Sequence, residues 1–195
     1  MEREQTLASI AEEISSCTRC PLAGGRLHAV PGSGTGKKRI VFIGEGPGAQ
    51  EDKKGVPFVG ASGKFLDDMF ASIGMTRDDV FITNVVKCRP PENRDPRDEE
   101  VAVCVDTFLW RQLEAIDPLL IVTLGRHAMY RFIPKDKAIS NVHGMVFKLT
   151  SPRTGKHFNI LPLYHPAAAL YNGSMRTTLL ADFEHIPKVL KELEK

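Results

Sequence analysis

The stretch Arg39-Ile-Val-Phe-Ile-Gly-Glu-Gly-Pro-Gly-Ala-Gln-Glu-Asp52 sets an apolar run, Ile40 to Ile43, directly against a turn rich in glycine and acid. A short unbroken run of this kind, bounded by turn residues, reads as a strand buried on both faces. Similar runs recur at Val80 to Val86, Leu119 to Leu124 and Ile160 to Tyr164. Helical patterns lie between them: Phe65, Leu66, Met69, Phe70 and Ile73 ending at Gly74, and then Val101 to Ile116. Strand and helix alternate, which predicts a three-layer α/β/α sandwich around a central four-stranded parallel sheet. The Val101 to Ile116 helix has a readable start, with Asp95 as N-cap, Pro96 at the first helical position and Asp98 and Glu99 in the first turn. Met145 to Thr150, followed by Ser151-Pro152-Arg153-Thr154-Gly155, reads as a hairpin into the last strand. Leu179, Phe183, Ile186, Leu190 and Leu193 predict a covering helix, kinked or restarted at Pro187.

The length of 195 residues and a hydrophobic content of 42% fit one globular domain over 1–195, with no internal repeat or linker. A formal net charge of +2 gives no overall argument for nucleic acid. Local basic groups stand at Lys37-Lys38-Arg39 and around Lys87 to Arg89. No transmembrane span is visible, and the opening Met-Glu-Arg-Glu resembles no signal peptide, so a cytoplasmic location and a reducing environment are expected.

Four cysteines, Cys17, Cys20, Cys88 and Cys104, stand as C-x2-C, a long gap and C-x15-C. The first pair leaves an amphipathic segment (Leu7, Ile10, Ala11, Ile14) and meets Pro21, whereas a thioredoxin-like pair opens a helix. Four thiolates also suit zinc, but zinc knuckles bring both pairs as tight turns. The irregular spacing suits an iron-sulfur cluster better. Taken alone, Cys104 would be ordinary core, because Val101, Cys104, Val105, Phe108 and Leu109 form one apolar stripe.

Open parallel sheets place ligands at the carboxyl ends of their strands, and the unusual residues of this chain gather there. Gly44 to Gly48 is GxGxG rather than GxGxxG, and Glu45, Glu51 and Asp52 oppose a pyrophosphate. Asn84 interrupts an apolar run, so its amide is either tied to backbone or held for a ligand. His165-Pro166 leaves the fourth strand, where an imidazole can donate into a cleft. Phe58, flanked by Gly55 and Gly60, is either an inward plug or a stacking face.

Together, the Cys17-x-x-Cys20 pair, GEGPGAQED, VPFVG, ITNVVKCRPPENRDP, Cys104 and YHPAAAL resemble the family 4 uracil-DNA glycosylases, in order and spacing, over nearly the whole chain. The resemblance implies a monofunctional DNA-repair glycosylase, without lyase activity, that excises uracil after cytosine deamination. It implies a structural 4Fe-4S cluster on Cys17, Cys20, Cys88 and Cys104. Phe58 would stack on the flipped base and Asn84 would read its O4 and N3-H edge, with Gly46 and Pro47 beside the uracil. His165 would stabilise the departing anion. Family 1 has a water-orienting aspartate where this chain has Gly46, which leaves that role between Glu45 and Glu51, with Glu45 preferred. The related branch that traps DNA covalently carries a histidine in its inserted loop; here Pro90 to Pro96 has none, and turnover is expected. Lys87, Arg89, Arg94 and Arg176 are the expected phosphate contacts and Leu170 the expected wedge. The expected partner is uracil-containing DNA, bound by a monomer away from any membrane; the sequence names no sliding-clamp or other repair partner. The cysteines would brace the Arg89 to Arg97 loop.

Overall fold

A computed structural model of the chain describes residues 2–194. Among these, five strands form one sheet: β1 (Ile40–Gly44), β2 (Phe81–Asn84), β3 (Leu120–Leu124), β4 (Phe147–Thr150) and β5 (His157–Leu163), in the order β2-β1-β3-β5-β4. The strands β2, β1, β3 and β5 run parallel, as expected from their apolar runs, and β4 pairs antiparallel with β5. The sheet thus has one strand more than the expected four. Residues of β4 alternate between half-buried and exposed, the pattern of an edge strand reached by a hairpin, so no continuous apolar run marks it.

The helices are α1 (Glu2–Ser15), α2 (Ala49–Lys54), α3 (Ala61–Ser72), α4 (Asp98–Cys104), α5 (Trp110–Ile116), α6 (Arg126–Met129), α7 (Ile139–Val142), α8 (Ala168–Tyr171) and α9 (Gly173–Leu193). Side chains of a strand point alternately to opposite faces, and the two cores divide on that period. Val41, Ile43 and Ile121 pack under α1, α4 and α5, while Ile40, Phe42, Leu120 and Val122 pack under α3 and α9. Three layers result. Phe42, Phe70 and Phe183 form an aromatic cluster on the second face, with Phe42 and Phe70 edge to face at 4.9 Å. The helix α9 continues through Pro187 instead of restarting there, with Phe183, Ile186 and Val189 buried on either side of the proline.

Two local expectations change. The chain leaves β2 after Asn84, because the Val85 and Val86 amides turn to the carbonyls of Gly44 and Glu45 at 2.9 and 3.0 Å. Asp95 is not the N-cap of α4; the helix starts at Asp98 after Arg97. The buried Glu100 carboxylate decides this, accepting the Arg97 amide at 2.8 Å while Arg94 grips it at 2.9 and 2.7 Å. Between α4 and α5 the helix passes through a π-turn, Val105–Leu109.

Candidate active site

The strand order reverses direction between β1 and β3, which opens a crevice at the carboxyl ends of the sheet. A cavity of about 400 Å³ lies there, lined by Glu45, Phe58, Asn84 and His165, with the Gly46 to Gly48 turn and the Pro90 to Pro96 loop as walls. Residues far apart in the chain, expected separately at strand ends, therefore meet in one place. The register pairs Gly44 with Asn84, setting the glycine turn beside the asparagine. Asn84 is 2% exposed. Among the described residues its side-chain amide has no protein partner, so of the two readings open to a buried asparagine, the one held for a ligand fits.

Gly44 must stay small. A Cβ there would collide with Asn84 Oδ1 and come within 2.7 Å of Phe58 Cζ. Gly44→Ala is expected to displace both side chains, raise KM for the substrate at least about tenfold, and lower stability by about 1–3 kcal/mol. Steady-state kinetics with a thermal melt checks both.

Phe58 is turned inward with φ of 52°, a strained value for an aromatic residue. Its loop is held from three directions. Arg77 donates to the carbonyls of Pro57, at 3.0 Å, and Phe58. Gly63 leaves room for the Phe58 carbonyl. Glu51 Oε1 accepts the amides of Val59 and Gly60, each at 2.9 Å. The Glu51 carboxylate is therefore engaged in fixing the loop that presents Phe58. The Phe58 ring lies against the His165 imidazole at 5.6 Å and 28°.

His165 Nδ1 accepts the Ala167 amide at 3.1 Å, which leaves the ring proton on Nε2. Burial lowers its pKa to about 4, so the ring is neutral at physiological pH and offers a fixed Nε2–H donor. Gly125 sits at φ of +90°, and a Cβ added there would come within 3.1 Å of His165 Cβ.

Glu45 behaves differently. Burial, then the Asp95 carboxylate, lift its pKa to about 7. His127, at the start of α6, sits with Nδ1 3.9 Å from Glu45 Oε1 and Nε2 3.4 Å from Asp95 Oδ2. Arg126 Nε donates to His127 Nε2 at 3.1 Å, so the ring proton faces Glu45. Sequence reasoning passed over His127, although Gly125-Arg126-His127 follows β3 in the same strand-end position that singled out Asn84 and His165.

The expected DNA contacts divide. Lys87 is 1% exposed and cannot reach a phosphate; its Nζ donates to Thr83 Oγ1 at 2.6 Å and the Asn84 carbonyl at 2.7 Å. Arg94 is held by Glu100. Arg89 bonds Asn93 Oδ1 at 2.8 Å, and Arg176 lies over the Phe65 ring at 4.4 Å with Asp68 at 3.4 Å. Leu170 is 48% exposed on α8, and its neighbour Tyr171 is 91% exposed, so both stand free beside the His165 loop.

The four cysteines converge from three parts of the chain on one small cavity and form no disulfide. Arg26 Nη1 donates to Cys88 Sγ at 3.1 Å. Burial raises the Cys88 thiol and lifts Cys104 to about 11, so stable thiolates there call for a bound cation. Four sulfurs without nitrogen or oxygen ligands, ringed by Arg26 and Lys87, fit a thiolate-held metal centre. Bidentate pairing of Arg111 with Glu13, at 2.6 Å twice, fixes α1 on α5 and so carries Cys17 to the site. Among the described residues no helix is long and apolar enough to cross a membrane.

Residues 31–194 match the family model described as the uracil DNA glycosylase superfamily. The chain is 50% identical over 186 residues to a type-4 uracil-DNA glycosylase of Archaeoglobus fulgidus, covering 93% of this chain and 92% of that protein. It is 42% identical over 193 residues to a type-4 uracil-DNA glycosylase of Thermotoga maritima, with 97% of each chain covered. A type-5 uracil-DNA glycosylase of Thermus thermophilus is 34% identical over 163 residues, covering 66% of this chain and 71% of that protein.

Proposed function

Because this chain belongs to the type-4 uracil-DNA glycosylases of the uracil-DNA glycosylase superfamily, we propose that it flips uracil out of DNA and hydrolyses its N-glycosidic bond, leaving an abasic site. The observation that carries this reading is Asn84, a nearly buried and unpartnered carboxamide at a cavity lined also by Phe58 and His165. Such a group reads uracil through N3–H and O4; cytosine presents the reverse pattern and leaves buried polar atoms unpaired. Phe58 supplies the aromatic face and the Gly46-Pro47 turn flanks the base.

As the C1′–N1 bond breaks, its electron pair leaves with uracil, and negative charge gathers at O2. The neutral Nε2–H of His165 is aimed to stabilise that charge. Glu45 holds the attacking water and takes its proton as the water oxygen bonds C1′. Glu51, whose carboxylate holds the Phe58 loop, acts by positioning. Arg89 and Arg176 contact phosphates, and Leu170, now joined by Tyr171, fills the space left by the flipped nucleotide.

Cys17, Cys20, Cys88 and Cys104 would hold a 4Fe-4S cluster, which would supply structural cross-linking. Cys88 opens the Pro90 to Pro96 wall and Cys104 closes the helix after it, which supports its role as a brace. Anaerobically purified protein is expected to show broad visible absorption and about 4 iron atoms per chain. Zinc without iron would remove this cofactor.

A labelled oligonucleotide with a single uracil tests the activity. An alkali-sensitive break at uracil, and none at cytosine or thymine in the same position, is expected; equal cleavage of all three, or none, would defeat the reading.

A further inference from the structure

Lys87 is the one expected DNA contact that the fold places wholly inside the protein, and the chemistry above gives it no task. A buried ammonium is unfavourable unless strongly compensated. Among the described residues no carboxylate lies within ion-pair reach of Lys87 Nζ. Its bonds go instead to the Asn84 carbonyl at 2.7 Å and to Thr83 Oγ1 at 2.6 Å, and the Thr83 hydroxyl passes on to the Pro31 carbonyl at 2.9 Å. The main chain of Lys87 is fixed as well, its carbonyl accepting the Val30 amide at 2.7 Å. The same side chain lines the cavity of Cys17, Cys20, Cys88 and Cys104.

We propose that Lys87 is a positioning residue for base recognition: its buried Nζ, bonded to the Asn84 carbonyl and to Thr83 Oγ1, locks the Asn84 peptide at the end of β2. This rests on the reading of Asn84 as the uracil-reading group. The peptide of Asn84 sets where its carboxamide points, so a bond to the Asn84 carbonyl acts on the base without touching it.

A double-mutant cycle tests this. Single-turnover rates and the affinity for free uracil, by equilibrium dialysis, are measured for Lys87→Met, Asn84→Ala, His165→Ala and the two double variants that contain Lys87→Met. Lys87→Met is expected to weaken uracil binding at least about tenfold, to add less than about twofold to Asn84→Ala, and to retain its full effect beside His165→Ala. General damage to the fold or loss of iron would multiply with every variant alike, which would overturn the proposal, as would unchanged uracil affinity. If Asn84→Ala itself leaves uracil binding intact, the Asn84 reading fails instead. Thr83→Val, which removes one of the two acceptors, runs the same cycle should Lys87→Met not fold. Its expected effect is about threefold and equally dependent on Asn84; an effect independent of Asn84 would overturn the proposal.

Discussion

His165→Ala is expected to slow single-turnover release of uracil by about 100- to 1000-fold, while DNA binding survives. The magnitude follows from the geometry of the donor. The Ala167 amide occupies Nδ1 at 3.1 Å, so only Nε2 carries a proton, and burial holds the ring neutral with a pKa of about 4. A donor fixed before the bond breaks needs no reorganisation as charge develops, which is why removing one such group costs about 2.7–4 kcal/mol in related sites. Because the ring stays neutral from mildly acid to alkaline pH, the fold loss is the same at either end of the working range. A near-normal rate for the variant would remove His165 from the chemistry.

Glu45→Gln is expected to produce the second large effect, changing the shape of the pH profile as well as the rate. Burial and Asp95 raise the Glu45 carboxyl to about 7. In the proposed role the carboxylate is the form that holds water and accepts its proton, so the rate is expected to rise with pH through about 7 and level above it. The sign is fixed by the direction of the shift: raising the pKa delays ionisation to higher pH. Glu45→Gln flattens this limb and lowers the plateau about 100-fold or more. Asp95→Asn is expected to move the limb to lower pH, since the Asp95 charge is one of the two causes that raise the Glu45 pKa. Single-turnover profiles between about pH 5 and 9 check all three enzymes. A limb that persists unchanged in Glu45→Gln belongs to another group.

The strands of the parallel sheet were legible because burial on both faces leaves an unbroken apolar run, as in Ile40 to Ile43 and Leu120 to Leu124. The edge strand Phe147–Thr150 showed only its hairpin, since one of its sides meets water. Asn84, Phe58 and His165 stood out because each breaks a local rule, a polar residue in a buried run or an aromatic between glycines. Lys87 was read as surface for the opposite reason. A lysine beside Arg89 looks solvated, and its burial depends on the cysteines closing around it from the other end of the chain. The pairing of Arg94 with Glu100 likewise joins residues that one-dimensional spacing gives no cause to connect, and it displaced the helix start from Asp95 to Asp98. His127 was within reach of the strand-end rule; its partner Glu45, eighty-two positions earlier by the numbering, was not.

The proposed chemistry places cleavage of the bond between uracil and deoxyribose in the cavity at the end of β1 and β2. The most direct measurement is a mass balance: iron-loaded protein in excess over a uracil-containing oligonucleotide, with the free base separated by chromatography and the abasic sites counted. Free uracil equal in amount to the abasic sites, released by the wild type and lost in Asn84→Ala, is expected. Intact uracil-DNA in the presence of iron-loaded protein, or release that is indifferent to Asn84, would contradict it.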